Sequence, residues 1–193
     1  MVKSILKEER IETLPGVELT LKSKIVTVSG PKGKLTRSFA NVPVQMHAEF
    51  NDKKKVTAIV IRVWFSKAKA RSSITSIRKH IKNMMTGVTK GYLYVMKYGY
   101  NLTPLLPVAI ENGNVLQVTN YLGEKIIRKI HAAPGCLIDT KNSETKKEIE
   151  VSGIDSEAVG QTCARINQSC KPKNKDRRKF KDGIYIFTRG LQD

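Results

Sequence analysis

Long apolar runs, cysteines and carboxylates are all scarce in this sequence of 193 residues. Its most apolar stretch, residues 56–65, contains Arg62, whereas a membrane helix needs roughly 18 apolar residues. The first 13 residues mix both signs of charge, so we expect no signal peptide. The 3 cysteines form no CxxC pair, which favours reduced thiols in a reducing compartment. These features exclude membrane proteins and disulfide-rich secreted domains.

Positive charge is abundant and concentrated in two segments. The chain has 35 lysines and arginines against 17 acidic residues, a net charge of +18. Residues 66–90 carry 7 basic residues and no carboxylate, and residues 171–181 carry 7 basic residues and one aspartate. Crowded like charges destabilise a compact chain unless a polyanion neutralises them, and counterion release from a phosphate backbone supplies binding free energy. The distribution indicates nucleic-acid binding and argues against a metabolic enzyme with a neutral surface.

Aromatic residues are also few, at 6% of the chain, and no zinc finger, basic zipper or stacking motif is present. We therefore expect a folded RNA to be recognised by shape and charge, with glycines letting the backbone approach phosphates closely. The candidate RNA-binding residues of the second half are Lys171, Lys173, Lys175, Arg177, Arg178, Lys179, Lys181 and Gly183. Those of the first half are Lys32, Lys34, Arg71, Arg78, Lys79 and Lys82.

Hydrophobic periodicity predicts a helix in each half, preceded by strands. Apolar residues three and four apart from Ala70 to Met85 predict a helix that begins near Ser66 and ends near Gly87. A second helix is predicted over residues 156–170. Alternating or continuous apolar residues predict strands at 17–21, 25–28, 35–39, 42–50, 56–64, 91–96, 105–110, 115–118, 126–130, 136–140, 149–151 and 183–187.

The two halves share the order strands, helix, strand, which indicates a duplicated domain. The predicted fold class is α+β, with two tandem homologous domains, each an antiparallel β-sheet packed on one α-helix. The predicted limits are an N-terminal domain at 1–98, a linker at 99–107, a C-terminal and main RNA-binding domain at 108–190, and a tail at 191–193.

Catalytic motifs are incomplete. Residues 30–34 have two residues between the glycines where a nucleotide-binding loop has four, and no Ser or Thr follows the lysine. His47 and Glu49 match half of a zinc deaminase motif, but its P-C-x-x-C element is missing. Cys163 and Cys170 lie seven residues apart on one predicted helix face, and we interpret them as core residues. We expect no enzyme activity, no cofactor, no metal site and no small-molecule substrate.

Four motifs in order resemble the universal large-subunit ribosomal protein six family, whose eukaryotic member is numbered nine, in its archaeal and eukaryotic form. Residues 174–185 resemble the pattern N-K-D-x-R-K-F-x-D-G-I-Y. Residues 28–39 resemble V-x-G-P-[RK]-G-x-L-x-R-x-F. Residues 83–92 and 120–128 are similar to a helix-to-strand passage and to the start of the second domain. The resemblance covers about residues 15–190 and adds Asn174 to the candidate RNA-binding residues.

The resemblance implies a structural role on large-subunit ribosomal RNA, near the sarcin–ricin loop and the factor-binding region. It implies neighbouring ribosomal proteins at the stalk base, a cytoplasmic location on the ribosome and, in a eukaryote, assembly in the nucleolus. It also implies no catalysis and no cofactor. Two alternatives stay open from the residues alone. One is a regulatory module that binds RNA or DNA off the ribosome, and the other is a basic hydrolase that depends on His47 or Glu49.

Overall fold

The computed structural model describes residues 5–51, 55–100, 103–142, 147–176 and 178–192. The chain divides into two compact units, Met1–Lys90 and Gly91–Asp193, here called unit 1 and unit 2. Each contains one α-helix and antiparallel strands, so the predicted α+β fold of two repeated domains is confirmed. The strands of each unit form two sheets rather than one.

Unit 1 combines two three-stranded sheets with one long helix. Strands β1, β6 and β5 form the first sheet in that order, and β2, β3 and β4 form the second. Helix α1 contacts strands of both sheets and buries Ile74, Ile77 and Ile81 against them. Its elements are β1 (Leu6–Glu12), β2 (Glu18–Lys22), β3 (Ile25–Gly30), β4 (Gly33–Ser38), β5 (Gln45–Phe50), β6 (Val56–Trp64) and α1 (Ala68–Thr89).

The apolar spacing predicted the buried face of α1 correctly, but the helix begins at Ala68 and ends at Thr89, slightly beyond the predicted Ser66 and Gly87. Ser66 is buried and does not cap the helix, because Lys67 is the N-cap residue and no side chain accepts a hydrogen bond there. The helix continues through Gly87 to Thr89. The chain turns only at Gly91, whose φ of +77° is the left-handed conformation in which glycine commonly ends a helix.

Strand β1 was not predicted, because five of its seven residues are charged. It pairs along its whole length with β6, from Leu6 opposite Trp64 to Glu12 opposite Ala58. A cross-strand ion pair supports this register, since the Nε of Arg62 lies 2.8 Å from a carboxylate oxygen of Glu8. Pairing with a buried neighbour therefore forms a strand that has little apolar signal of its own.

Unit 2 also has two sheets and one helix. Strands β10, β9 and β8 form one sheet, and β11, β12, β7 and β13 form the other. Helix α2 buries Val159, Cys163 and Ile166, and Asp155 caps it by accepting a hydrogen bond from the amide of Glu157 at 3.0 Å. Its elements are β7 (Tyr92–Gly99), β8 (Leu106–Ile110), β9 (Val115–Thr119), β10 (Arg128–His131), β11 (Cys136–Asn142), β12 (Lys147–Gly153), α2 (Ser156–Ser169) and β13 (Gly183–Leu191).

The division between the units differs from the predicted limits. It falls between Lys90 and Gly91, whereas the sequence placed a linker at 99–107. The reason is that β7, predicted as the last strand of the first domain, pairs with β12 on one side and β13 on the other. In each repeat, the first strand pairs with the strand that immediately precedes the helix: β1 pairs with β6, and β7 pairs with β12. Strand β13, which follows α2, is an addition to the second repeat.

Candidate nucleic-acid interface

The segment between α2 and β13, residues 171–181, is the basic loop. Its flanks are fixed by secondary structure, because α2 ends at Ser169 and β13 begins at Gly183. Lys171 is partly buried, and Arg177 lies outside the described residues. The exposed candidates in the loop are Lys173, Asn174, Lys175, Arg178, Lys179 and Lys181.

The single acidic residue of the basic loop orders its backbone. The carboxylate of Asp176 accepts a hydrogen bond from the amide of Arg178 at 2.8 Å. The carbonyl oxygen of Asp176 accepts from the amides of Lys179 and Phe180 at 3.2 and 2.9 Å. This turn keeps the neighbouring basic side chains at the surface while the aspartate is engaged by backbone amides.

Three other motif residues of the loop shape it as well. Asn174 has a φ of +54°, a left-handed conformation that asparagine tolerates better than most residues. The ammonium of Lys175 lies 4.9 Å from the centroid of the Phe180 ring, a cation–π contact within the loop. The pattern that resembles the family therefore contains loop-shaping residues as well as exposed charges.

Gly183 packs closely against its own chain. It is buried, and a Cβ atom there would lie 3.2 Å from the carbonyl oxygen of Cys170 and 3.1 Å from the hydroxyl of Tyr185. The chain itself makes the close approach that we had expected of a phosphate. Gly183 is thus a packing residue at the start of β13, and its contact with RNA stays a prediction.

The four candidate RNA-binding residues on α1 differ in their exposure and in their ion pairs. Lys79 and Lys82 are exposed, and Arg71 is partly buried. Arg78 forms an ion pair with Glu9 of β1, with 3.2 Å between its Nε and a carboxylate oxygen. The sequence suggested that no carboxylate neutralises this helix, but β1 supplies one. Lys79 and Lys82 are the members of this group best placed for phosphates.

Lys32 lies in the turn between β3 and β4, and Lys34 lies at the start of β4. The two side chains have different environments. The amide of Lys32 donates a hydrogen bond to the carbonyl oxygen of Val88 at 3.0 Å, and its ammonium donates to the carbonyl oxygen of Lys90. Lys32 therefore satisfies carbonyl groups at the C-terminal end of α1, where a positive charge is favourable. Lys34 is exposed on β4.

Sequence reasoning missed two residues that hold the ends of the basic loop. The guanidinium of Arg128 donates a hydrogen bond to the carbonyl oxygen of Ser169. The hydroxyl of Tyr121 donates to the carbonyl oxygen of Asp182 at 3.4 Å. Both belong to the segment 120–128 that carries one of the resembling motifs, but a motif alone does not show what its residues contact.

The alternative chemical sites receive no support from the geometry. His47 is exposed on β5, and Glu49 pairs with Arg10 at 2.9 Å. Within the described residues no three His, Cys, Asp or Glu side chains lie together so that they could hold a metal ion. No described helix combines the length and apolar character that crossing a membrane requires.

The cysteines are buried in unit 2, as predicted for Cys163 and Cys170. All three are free thiols in the core. Burial raises the pKa of the Cys163 thiol to about 12 and raises the pKa values of Cys136 and Cys170 as well. A thiol that stays protonated is a poor nucleophile and a poor metal ligand, which fits a role in packing.

Comparison with known proteins identifies the repeated unit. The model of the ribosomal protein L6 family matches residues 15–91 and 108–183, once in each half of the chain. The chain belongs to the ribosomal protein L6 family. Both matches begin beyond β1 and β7, the strands that open each repeat, and the second match includes the whole basic loop. The L6 family match thus confirms both the resemblance and the duplication.

Several L6 family relatives match over nearly the whole chain. The large ribosomal subunit protein uL6 of Tetrahymena thermophila is 36% identical over 190 residues, covering 98% of each chain. The uL6A protein of Schizosaccharomyces pombe is 38% identical, covering 98% of this chain and 96% of its own length. The uL6 protein of the archaeon Aeropyrum pernix is 38% identical and covers 98% of each. As an L6 family member, the chain is a structural ribosomal protein of the large subunit and not an enzyme.

Proposed function

We propose that the chain binds large-subunit ribosomal RNA mainly through the basic loop and so supports subunit assembly and translation. The observation that carries this is the exposure of five basic side chains in the loop, whose one carboxylate accepts a hydrogen bond from the backbone amide of Arg178. Such a surface meets phosphates at several points and needs no base contact. Lys79 and Lys82 on α1 form a second, smaller candidate contact.

The location of the basic loop on the large subunit is proposed from membership of the family and from the motif resemblance. We propose that the loop lies near the sarcin–ricin loop and the factor-binding region, with ribosomal proteins of the stalk base as neighbours. The chain would act on ribosomes in the cytoplasm, after nucleolar assembly in a eukaryote. The support from the structure is that the resembling motif at 174–185 coincides with the exposed basic loop.

The first experiment is a salt series with large subunits from which the protein has been removed. The full chain should sediment with them stoichiometrically at physiological salt. Lys173→Gln and Lys179→Gln should each weaken binding and reduce the slope of log affinity against log salt by about 1. Lys22→Gln, at an exposed lysine of β2, is the matched control and should change neither. Loss of the unsubstituted chain to the soluble fraction would overturn the proposal and favour a regulatory module off the ribosome.

A second experiment tests the placement. Lys173→Cys provides one exposed thiol for a tethered hydroxyl-radical source, because the three native cysteines are buried. Cleavage of ribosomal RNA should concentrate around the sarcin–ricin loop. Lys22→Cys, labelled in the same way, should give a different pattern. Cleavage from position 173 confined to remote RNA helices would contradict the proposed placement.

A further inference from the structure

The two ends of the basic loop are held by one pair of side chains from another part of unit 2. Arg128, the first residue of β10, hydrogen-bonds the carbonyl oxygen of Ser169 at the end of α2. Tyr121 hydrogen-bonds the carbonyl oxygen of Asp182 just before β13, at 3.4 Å. Ser169 precedes the loop and Asp182 follows it. The pair Tyr121 and Arg128 is here called the clamp.

The two clamp residues contact each other, which ties the two ends of the loop together. The guanidinium carbon of Arg128 lies 4.5 Å from the centroid of the Tyr121 ring. Tyr121 is 1% exposed, and the Arg128 side chain is 16% exposed. The carboxylate of Glu124 also pairs with the guanidinium. Arg128 is therefore a cation whose charge is used inside unit 2, unlike the exposed lysines of the loop.

The backbone between β9 and β10 fixes the clamp through an unusual turn. Asn120 and Leu122 have φ values of +60° and +52°, so the buried Tyr121 stands between two left-handed residues. The side-chain amide of Asn120 donates to the carbonyl oxygen of Pro104 at 2.9 Å. Left-handed non-glycine residues are costly and persist only where their surroundings hold them. Here the turn directs a large ring into the core beside the ends of the loop.

We propose that Tyr121 and Arg128 are positioning residues for RNA binding, which fix the separation of the loop ends so that its charges meet phosphates in a prearranged form. This inference rests on the proposed function. Without the clamp, a loop of 11 residues would have to be ordered when RNA binds, and that lost freedom weakens binding. The clamp itself does not touch RNA.

The test compares Tyr121→Phe and Arg128→Gln with Lys179→Gln in binding to large subunits lacking the protein. Tyr121→Phe removes only the hydroxyl and keeps the ring. Both clamp variants should weaken binding about 2- to 10-fold, the range expected for one hydrogen bond, with an unchanged salt slope. Lys179→Gln should reduce that slope by about 1. Amides of the basic loop should exchange hydrogen faster in the two clamp variants, and not in Lys179→Gln.

Arg37→Gln is the matched control, because this guanidinium also lies over an aromatic ring, that of Phe39 in unit 1, at 5.7 Å. It should leave RNA binding unchanged. A lower melting temperature with unchanged affinity in Tyr121→Phe would overturn the inference, since the clamp would then serve stability alone. A salt slope reduced by about 1 in Arg128→Gln would also overturn it, because Arg128 would then contact phosphate. Failure of the unsubstituted chain to bind would overturn the proposed function, and this inference with it.

Discussion

Gly30 belongs to the family motif at residues 28–39, and its packing explains why that motif has glycine at this position. It ends β3 opposite Gly33, and the turn between them packs on the last turn of α1. A Cβ atom at position 30 would lie 2.7 Å from Cγ2 of Val88 and 3.0 Å from its carbonyl oxygen. That carbonyl already accepts the amide of Lys32, so the contact cannot open without loss of a hydrogen bond. Close packing on the end of α1 therefore explains the glycine at this position.

We expect Gly30→Ala to destabilise unit 1 by about 1–3 kcal/mol, the usual cost of overpacking. Urea unfolding followed by the fluorescence of the single tryptophan, Trp64, measures it. Gly160→Ala is the control, because nothing lies within 4 Å of a Cβ there and the residue is inside α2. That variant should leave the Trp64 midpoint unchanged and stabilise unit 2 by about 0.5–1 kcal/mol, measured by labelling of the buried thiols in increasing urea. An unchanged midpoint for Gly30→Ala would contradict the packing explanation.

At the scale of elements, strand β1 supplies a carboxylate that neutralises part of the positive charge concentrated on helix α1. The carboxylate of Glu9 is 17% exposed and receives three contacts. It lies 3.2 Å from Nε of Arg78, 3.7 Å from Nζ of Lys7, and accepts the hydroxyl of Thr75 at 3.2 Å. Glu9 thus joins β1 to the helix and neutralises part of its charge.

Glu9→Gln should destabilise unit 1 by about 1 kcal/mol, because it removes a mostly buried charge from two cations while keeping the side-chain volume. Glu49→Gln is the control, since Glu49 and its partner Arg10 are 44% and 55% exposed, and we expect a change of about 0.3 kcal/mol. Urea midpoints of both variants provide the measurement. Equal effects would show that burial of Glu9 adds nothing to its ion pair.

Elements were predictable from sequence where their own residues carry the signal, and not where a partner supplies it. The periodicity of α1 and α2 gave their buried faces, because a helix closes its hydrogen bonds locally. Strand β1 has one buried residue, Ile11, and exists because β6 pairs with it. Strand β7 was found, but its assignment to a unit depended on pairing with β12 and β13.

The candidate site was predictable to the same extent. Composition located the basic loop, since like charges gather in consecutive residues. It could not distinguish Lys34, which lies on β4, from Lys32, whose ammonium donates a hydrogen bond to the carbonyl oxygen of Lys90 at the end of α1. Nor could it identify Arg128, because a guanidinium that holds backbone carbonyls looks the same in sequence as one that binds phosphate. Partners distant in sequence decide these roles.

At the scale of the whole molecule, the thiol and phenol groups are distributed unevenly between the two units. All 3 cysteines and all 6 tyrosines lie in unit 2, and the one tryptophan lies in unit 1. Burial raises the pKa of Cys163 from 9.0 to about 12 and that of Tyr121 from 10.0 to about 12. Above pH 9 the unfolded chain loses these protons while folded unit 2 keeps them. Rising pH therefore favours unfolding, and the stability contributed by each group is fully present only below its unfolded pKa.

Unit 2 should lose stability between pH 9 and 12, by up to about 1.4 kcal/mol for each pH unit and each such group. Labelling of the buried thiols in increasing urea reports on unit 2, and Trp64 fluorescence reports on unit 1, whose signal should change less with pH. Cys163→Ala removes one of the shifted groups, so the pH dependence of unit 2 should become shallower even though the cavity lowers its stability at pH 7. An unchanged slope in that variant would mean that ionisation of Cys163 on unfolding is not linked to the stability of unit 2.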